Sequence, residues 1–248
     1  MGSTDATITD LERAHIAKKV RRTIHDIAKT AFEKDPLVVS GTSLATSQIS
    51  SAYKRHGLIL EEALRTALCT RSDLTAWTDC IAVPVRRNPI QVDLLTYGAN
   101  THVLRAYEIK RGFNNQDAEA RHSIEERLTA LLNVLPNYAS SRRLHAVSFT
   151  VAVVGYYDPT SGYIGAHRVI AAPDFAFEFG SATAAFVEDV NDYYSHCLLR
   201  HTAPHHIAAL EQIAQLPAFR EAIDPAAPRR ADAFSHLASA PHPWDALG

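Results

Sequence analysis

QVDLLTYGANTHVLRAYEIKR, residues Gln91 to Arg111, is the stretch whose reading decides the fold. Ile90 to Thr96 is rich in Ile, Val and Leu and predicts a strand. Tyr97-Gly98-Ala99-Asn100 supplies a turn, with Gly98 and Asn100 as the residues that tolerate positive φ. A second strand is expected from about His102 to Lys110. Side chains alternate along a strand, so Glu108 and Lys110 share one face and Ile109 takes the other. An antiparallel partner brings Asp93 beside them. The expected product is two carboxylates and one ammonium on an otherwise apolar sheet.

Such a cluster has a chemical use. Two neighbouring carboxylates repel each other unless a cation sits between them. Hard oxygen ligands in small number suit Mg²⁺, which keeps several waters and also binds phosphate. A lysine beside the metal can orient or deprotonate the attacking water, or stabilise charge on the phosphate. The plain alternative is an exposed Asp and a surface Glu/Lys pair.

Asp93, fourteen residues, then Glu108-Ile109-Lys110 resembles the signature of the PD-(D/E)xK nucleases, the restriction-endonuclease-like superfamily. Val92 stands where the signature often has Pro. Upstream, HGLILEEALRTAL, from His56 to Leu68, carries Leu60, Ala63, Leu64, Ala67 and Leu68 on one helical face. Glu61 lies about 100° from Leu60, at the flank of that face, and Glu62 about 200° away, towards solvent. Gly57-Leu58-Ile59-Leu60-Glu61 resembles the superfamily's helix motif with a metal-site Glu. The resemblance implies an α/β fold with an αβββαβ core over about residues 43–171: a mixed central sheet flanked by helices. It also implies a Mg²⁺-dependent endodeoxyribonuclease, with Mn²⁺ able to substitute. Asp93, Glu108 and Glu61 are then metal ligands, directly or through water, and Lys110 positions the attacking water. Double-stranded DNA is the expected partner and a homodimer the expected assembly. A type II restriction endonuclease is the leading role. A repair, phage or mobile-element nuclease of the same fold is the near alternative. A DNA-binding or scaffold protein that has lost catalysis is the rival from another class.

The 248 residues suffice for one sizeable α/β domain and are short for two. The 46% hydrophobic and 21% charged fractions are those of an ordinary globular protein. No apolar run approaches the roughly 20 residues of a membrane span. MGSTDATITD has no signal-peptide core, so the cytoplasm is expected. Cys69, Cys80 and Cys197 form no CxxC pair and suggest neither zinc ribbon nor disulfide frame. No P-loop or GxGxxG appears, which leaves ATP-driven and nicotinamide chemistry unsupported. Net charge is −2, but residues 1–143 hold 20 Lys and Arg against 16 Asp and Glu, and residues 144–248 hold 5 against 11. The basic part contains the candidate site, and polyanion binding needs only a local positive field.

Helices are expected over residues 5–34, with Thr9 and Glu12 as a capping box. Leu11, Ile16, Val20, Ile24, Ile27 and Ala28 form the apolar stripe. Lys18, Lys19, Arg21 and Arg22 are either a phosphate-contacting run or a solvated face. A break is expected at Ser40-Gly41-Thr42, a helix from about Ser43 to Thr70, and a short strand from Cys80 to Val85. Arg86 and Arg87, before the Asp93 strand, and Arg111, Asn114, Asn115 and Gln116, after Lys110, are candidate DNA contacts. For that second group a plain loop and cap is the alternative. Asp117 caps a helix that Pro136 is expected to close near Leu135. Leu144 to Tyr156 reads as a buried central strand and Tyr163 to Ala171 as a return strand. Helices are expected from Ser181 to Leu199 and from His205 to Leu216, within a C-terminal helical region reaching about residue 222. His196, His201, His205 and His206 are a transition-metal alternative that lacks a Cys partner and has Pro204 in its run. Residues 225–248 read as a loose tail in which Trp244 docks on the domain.

Overall fold

The computed structural model describes residues 5–33, 41–84, 87–113, 116–214 and 241–247, and their side chains except over 28–33, 41–50 and 202–214. The chain divides into two compact units, Met1–Ile8 with Leu60–Glu188, and Thr9–Ile59 with Asp189–Gly248.

The first unit is α/β. It holds the end of α2 (Gly41–Cys69), then β1 (Thr75–Ile81), β2 (Ile90–Gly98), β3 (Val103–Lys110), α3 (Ala118–Ser141), β4 (Ser148–Gly155), β5 (Gly162–Ile164), β6 (His167–Ala171), the short α4 (Phe175–Phe179) and the start of α5 (Ser181–Ala214). The six strands form one mixed sheet in the order β1-β2-β3-β4-β6-β5. β1, β2 and β3 run antiparallel in a meander, and β4 returns parallel to β3 after the α3 crossover. A parallel return needs a connection long enough to cross the sheet, which α3 provides.

One apolar layer lies between α3 and the sheet. Ile124, Leu128, Leu131 and Leu135 of α3 meet Leu95, Leu104, Ala106, Val151, Val153 and Val169. Full burial of each such aliphatic side chain stabilises by about 1.5–3 kcal/mol. The same alternation sends Tyr107 to the opposite face, where its ring meets Phe179 at 5.4 Å, Phe179 meets Phe175, and Phe175 meets Tyr156 at 5.2 Å.

Several elements differ from the sequence expectation. β1 begins at Thr75, because Thr75, Ala76 and Trp77 pair with Tyr97, Thr96 and Leu95. α3 runs on past Pro136 to Ser141. Its last turn is fixed by Tyr138, whose hydroxyl donates to Asp79 Oδ2 at 2.6 Å and accepts from Trp77 Nε1 at 3.0 Å. The anticipated return strand is a hairpin, β5 and β6, with Gly165 at φ 54° between them. In the meander turn the left-handed residue is His102, at φ 52°. Gly98 is needed for the close approach of the Thr101 side chain instead. α5 is one helix through Pro204, since a proline removes one backbone bond without having to end a helix.

In the second unit α1 (Asp10–Glu33) begins at the Thr9–Glu12 capping box, with Thr9 N donating to Glu12 Oε2 at 2.6 Å. Ile16, Val20, Ile24 and Ile27 are buried, while Leu11 is 81% exposed and leaves the stripe. Lys18 and Arg22 face solvent; Arg21 donates to the Tyr193 hydroxyl at 3.0 Å and is not a free surface cation. Trp244, in a 3-10 turn over Pro243–Leu247, is buried within this unit beside Tyr193 and Arg13. Residues 34–40, 215–240 and the side chains of His205 and His206 lie outside the described residues. No described helix is long and apolar enough to cross a membrane.

Candidate functional site at the end of the beta2-beta3 ladder

The pairing of β2 with β3 runs from Gly98↔Val103 to Leu94↔Tyr107 and stops there. Asp93 and Glu108 are the next residues on the two strands. Asp93 Oδ2 accepts a hydrogen bond from Ile109 N at 2.8 Å, so a side chain closes the ladder where a backbone carbonyl would otherwise pair. The β1–β2 register shifts between Trp77↔Leu95 and Asp79↔Val92, so β2 carries one extra residue there, over Asp93 and Leu94. A bulge re-aims a side chain, and here the strands part where Asp93 sits.

Glu108 is 4% exposed. It continues the Leu104–Ala106 face, the one covered by α3. Lys110 Nζ lies 2.5 Å from Glu108 Oε1. Arg127 of α3 pairs with Glu108 Oε2. Burying a lone carboxylate is costly, and two cations at its two oxygens offset that cost. Glu108, Lys110 and Arg127 therefore pair with one another, and Asp93 reaches the same strand at the backbone N of Ile109, between Glu108 and Lys110. The sequence reading missed Arg127. Its signal was a cation next to Leu128 on the apolar side of the crossover helix.

Glu61 belongs to a different layer. It is partly buried on α2 beside Tyr156, whose hydroxyl donates to the Leu60 carbonyl at 2.7 Å. Burial pushes the Tyr156 phenol well above its ordinary range, and the Glu61 carboxylate adds to that. Tyr156 shares the Tyr107 face through the Phe175–Phe179 ring contacts, opposite the face of Glu108. Tyr156 N also donates to the Lys110 carbonyl at 3.2 Å, so the Glu61 layer reaches the strand end that carries Lys110. Glu62 pairs with Arg65 and its side chain is 17% exposed, more enclosed than its position on the helical wheel implies.

The loop after β3 is held by a second buried carboxylate, which the sequence reads only as part of an Asp158-Pro159 turn. Asp158 is 2% exposed and accepts from Phe113 N at 2.9 Å. The Arg111 guanidinium lies 4.9 Å from the Tyr157 ring centroid. Gln116 is partly buried and its amide reaches the Gly112 carbonyl at 3.5 Å. Asp117 caps α3 as expected, accepting from Ala120 N at 2.7 Å. Arg87 is exposed before β2. Arg86, Asn114 and Asn115 lie outside the described residues.

Among the described residues, no three His, Cys, Asp or Glu gather into a metal-ligand group. His196 lies 3.7 Å from Asp245, and its ring is 5.2 Å from that of His242, without forming such a group. At the ladder end the donors are two carboxylates, Asp93 with Oδ1 beyond its backbone bond and Glu108 held by two cations. That set fits a hard dication that keeps most of its waters, and does not fit a zinc site of three or four protein ligands. No family model, curated protein or solved structure matches this chain.

Proposed function

We propose that this chain is a Mg²⁺-dependent endodeoxyribonuclease of the PD-(D/E)xK type, with type II restriction as its role. The observation that carries the reading is the meeting of Asp93, Glu108 and Lys110 where the β2–β3 ladder ends. The order of elements supports it: helix, three antiparallel strands, helix, parallel strand. So do the cations Lys110, Arg111, Arg121 and Arg127 on β3, the loop after it and α3.

Asp93 and Glu108 would hold Mg²⁺, and Glu61, on the opposite face of the sheet, is left out of this site. Bound there, the ion supplies Lewis acidity at the phosphate and lowers the pKa of a bound water. Lys110, beside Glu108, orients the attacking water and stabilises charge on the phosphate. The water oxygen bonds to phosphorus, one ester P–O bond breaks, and the departing oxygen takes a proton. Arg87 and Arg111 would contact the backbone. Cutting both strands of a duplex calls for two such sites, which a symmetric dimer provides.

One observation favours a second reading: both Glu108 oxygens face cations, as they would in a DNA-binding protein that has lost catalysis. Supercoiled-plasmid cleavage with Mg²⁺, with Mn²⁺ and with a chelator separates the two. Metal-dependent nicking or linearisation that Asp93→Asn removes supports the nuclease. DNA binding without cleavage in either metal supports the rival. A methyltransferase gene beside this one would single out restriction over repair, phage or mobile-element roles.

A further inference from the structure

Among the described residues, the four charged groups placed at the ladder end sum to zero before any metal arrives. Asp93 and Glu108 contribute two negative charges, and Lys110 and Arg127 two positive. Lys110 comes from the same strand as Glu108, two residues on. Arg127 comes from α3, and its side chain is 31% exposed while Glu108 is 4% exposed. The guanidinium can therefore withdraw to solvent on its flexible stem, and the carboxylate cannot follow it.

We propose that Arg127 is a positioning residue that competes with the divalent ion for Glu108. It neutralises the buried carboxylate while the site is empty of metal, and a dication displaces it. This rests on the nuclease reading for the identity of the site, and its test does not use cleavage. Without the guanidinium, the cluster carries a net negative charge and Glu108 Oε2 is open to a ligand. A dication then gains attraction and loses a competitor.

The experiment is Mn²⁺ binding to the DNA-free full chain, followed by electron paramagnetic resonance and calorimetry. Arg127→Ala is expected to bind Mn²⁺ more tightly than the parent chain, on the order of tenfold. Arg127→Lys, which keeps the charge, should stay near the parent. Arg127→Ala combined with Glu108→Gln should lose the gain. A purely structural role for Arg127 would not produce that order. Equal or weaker Mn²⁺ binding by Arg127→Ala overturns the proposal, as does a gain that survives Glu108→Gln. Circular dichroism checks the fold, and if the alanine variant does not fold, Arg127→Gln takes its place with the same expected order. Tighter Mn²⁺ binding by the variant beside a parent chain that never cleaves DNA sinks the nuclease reading and leaves this inference standing. Cleavage by the parent with no gain in the variant does the reverse.

Discussion

Asp93 has two separable roles, and two substitutions tell them apart. Its Oδ2 accepts from Ile109 N at 2.8 Å in a partly buried setting. Asp93→Asn keeps an acceptor oxygen and nearly the same volume, so the backbone bond survives in weaker, neutral form. The expected cost is the difference between a charged and a neutral acceptor, about 0.5–1.5 kcal/mol. Asp93→Ala leaves the Ile109 N–H without its acceptor and is expected to cost about 1–3 kcal/mol. For a chain of this size, each kcal/mol moves the midpoint by about 2–4 °C. Asp93→Asn should thus melt within a few degrees of the parent, and Asp93→Ala distinctly lower. Both should lose Mg²⁺-dependent plasmid cleavage, since the metal loses a charged ligand. DNA affinity without metal should not fall for Asp93→Asn, because a repulsion with phosphate is removed. Calorimetric melting, gel shift and cleavage are run on the same preparations. Parental cleavage by Asp93→Asn would refute the catalytic role, whatever happens to stability. Equal destabilisation by the two variants would refute the ladder-closing role.

Lys110→Ala should reduce cleavage by about a hundredfold or more and also lower the melting temperature, because the buried Glu108 loses one of its two cations, as read by plasmid assay and calorimetry. Asp117→Asn, a helix cap outside the cluster, should keep full activity in the same assay, because Asn caps about as well as Asp. Tyr138→Phe should destabilise the sheet unit by about 1–2 kcal/mol at neutral pH. The Tyr138 hydroxyl bond, first among its partners, holds the Asp79 carboxyl below its usual range. A depressed carboxylate contributes stability above its unfolded pKa of about 3.9 and loses it as pH falls through the folded value. The gap between parent and variant in urea unfolding should therefore narrow below about pH 4; a gap that widens on acidification would contradict the Asp79 pairing. Light scattering should give a dimer, free or on DNA, and a monomer in both states would point to nicking instead of two-strand cutting.

Local chemistry decided what the sequence alone could determine. Covalent alternation along a strand puts Glu108 and Lys110 on one face wherever that strand lies. The Thr9–Glu12 box and the Asp117 cap are set by residues three apart. The alternation of β3 and the Val-rich run of β4 announce their burial before any partner is known. What tertiary structure decided depends on residues far apart in the chain. Asp93 sits where β2 carries an extra residue against β1, and there the β2–β3 ladder stops and Asp93 meets Ile109 N. Arg127 reaches Glu108 only because α3 crosses back over the sheet to deliver β4 beside β3. Tyr138 carries α3 past Pro136 because its hydroxyl meets Asp79, 59 positions away, and a proline's local preference yields to a partly buried long-range contact. Glu61 and Glu108, both legible as acidic residues at the rim of an apolar face, lie on opposite sides of one sheet, a relation no helical wheel or strand period encodes.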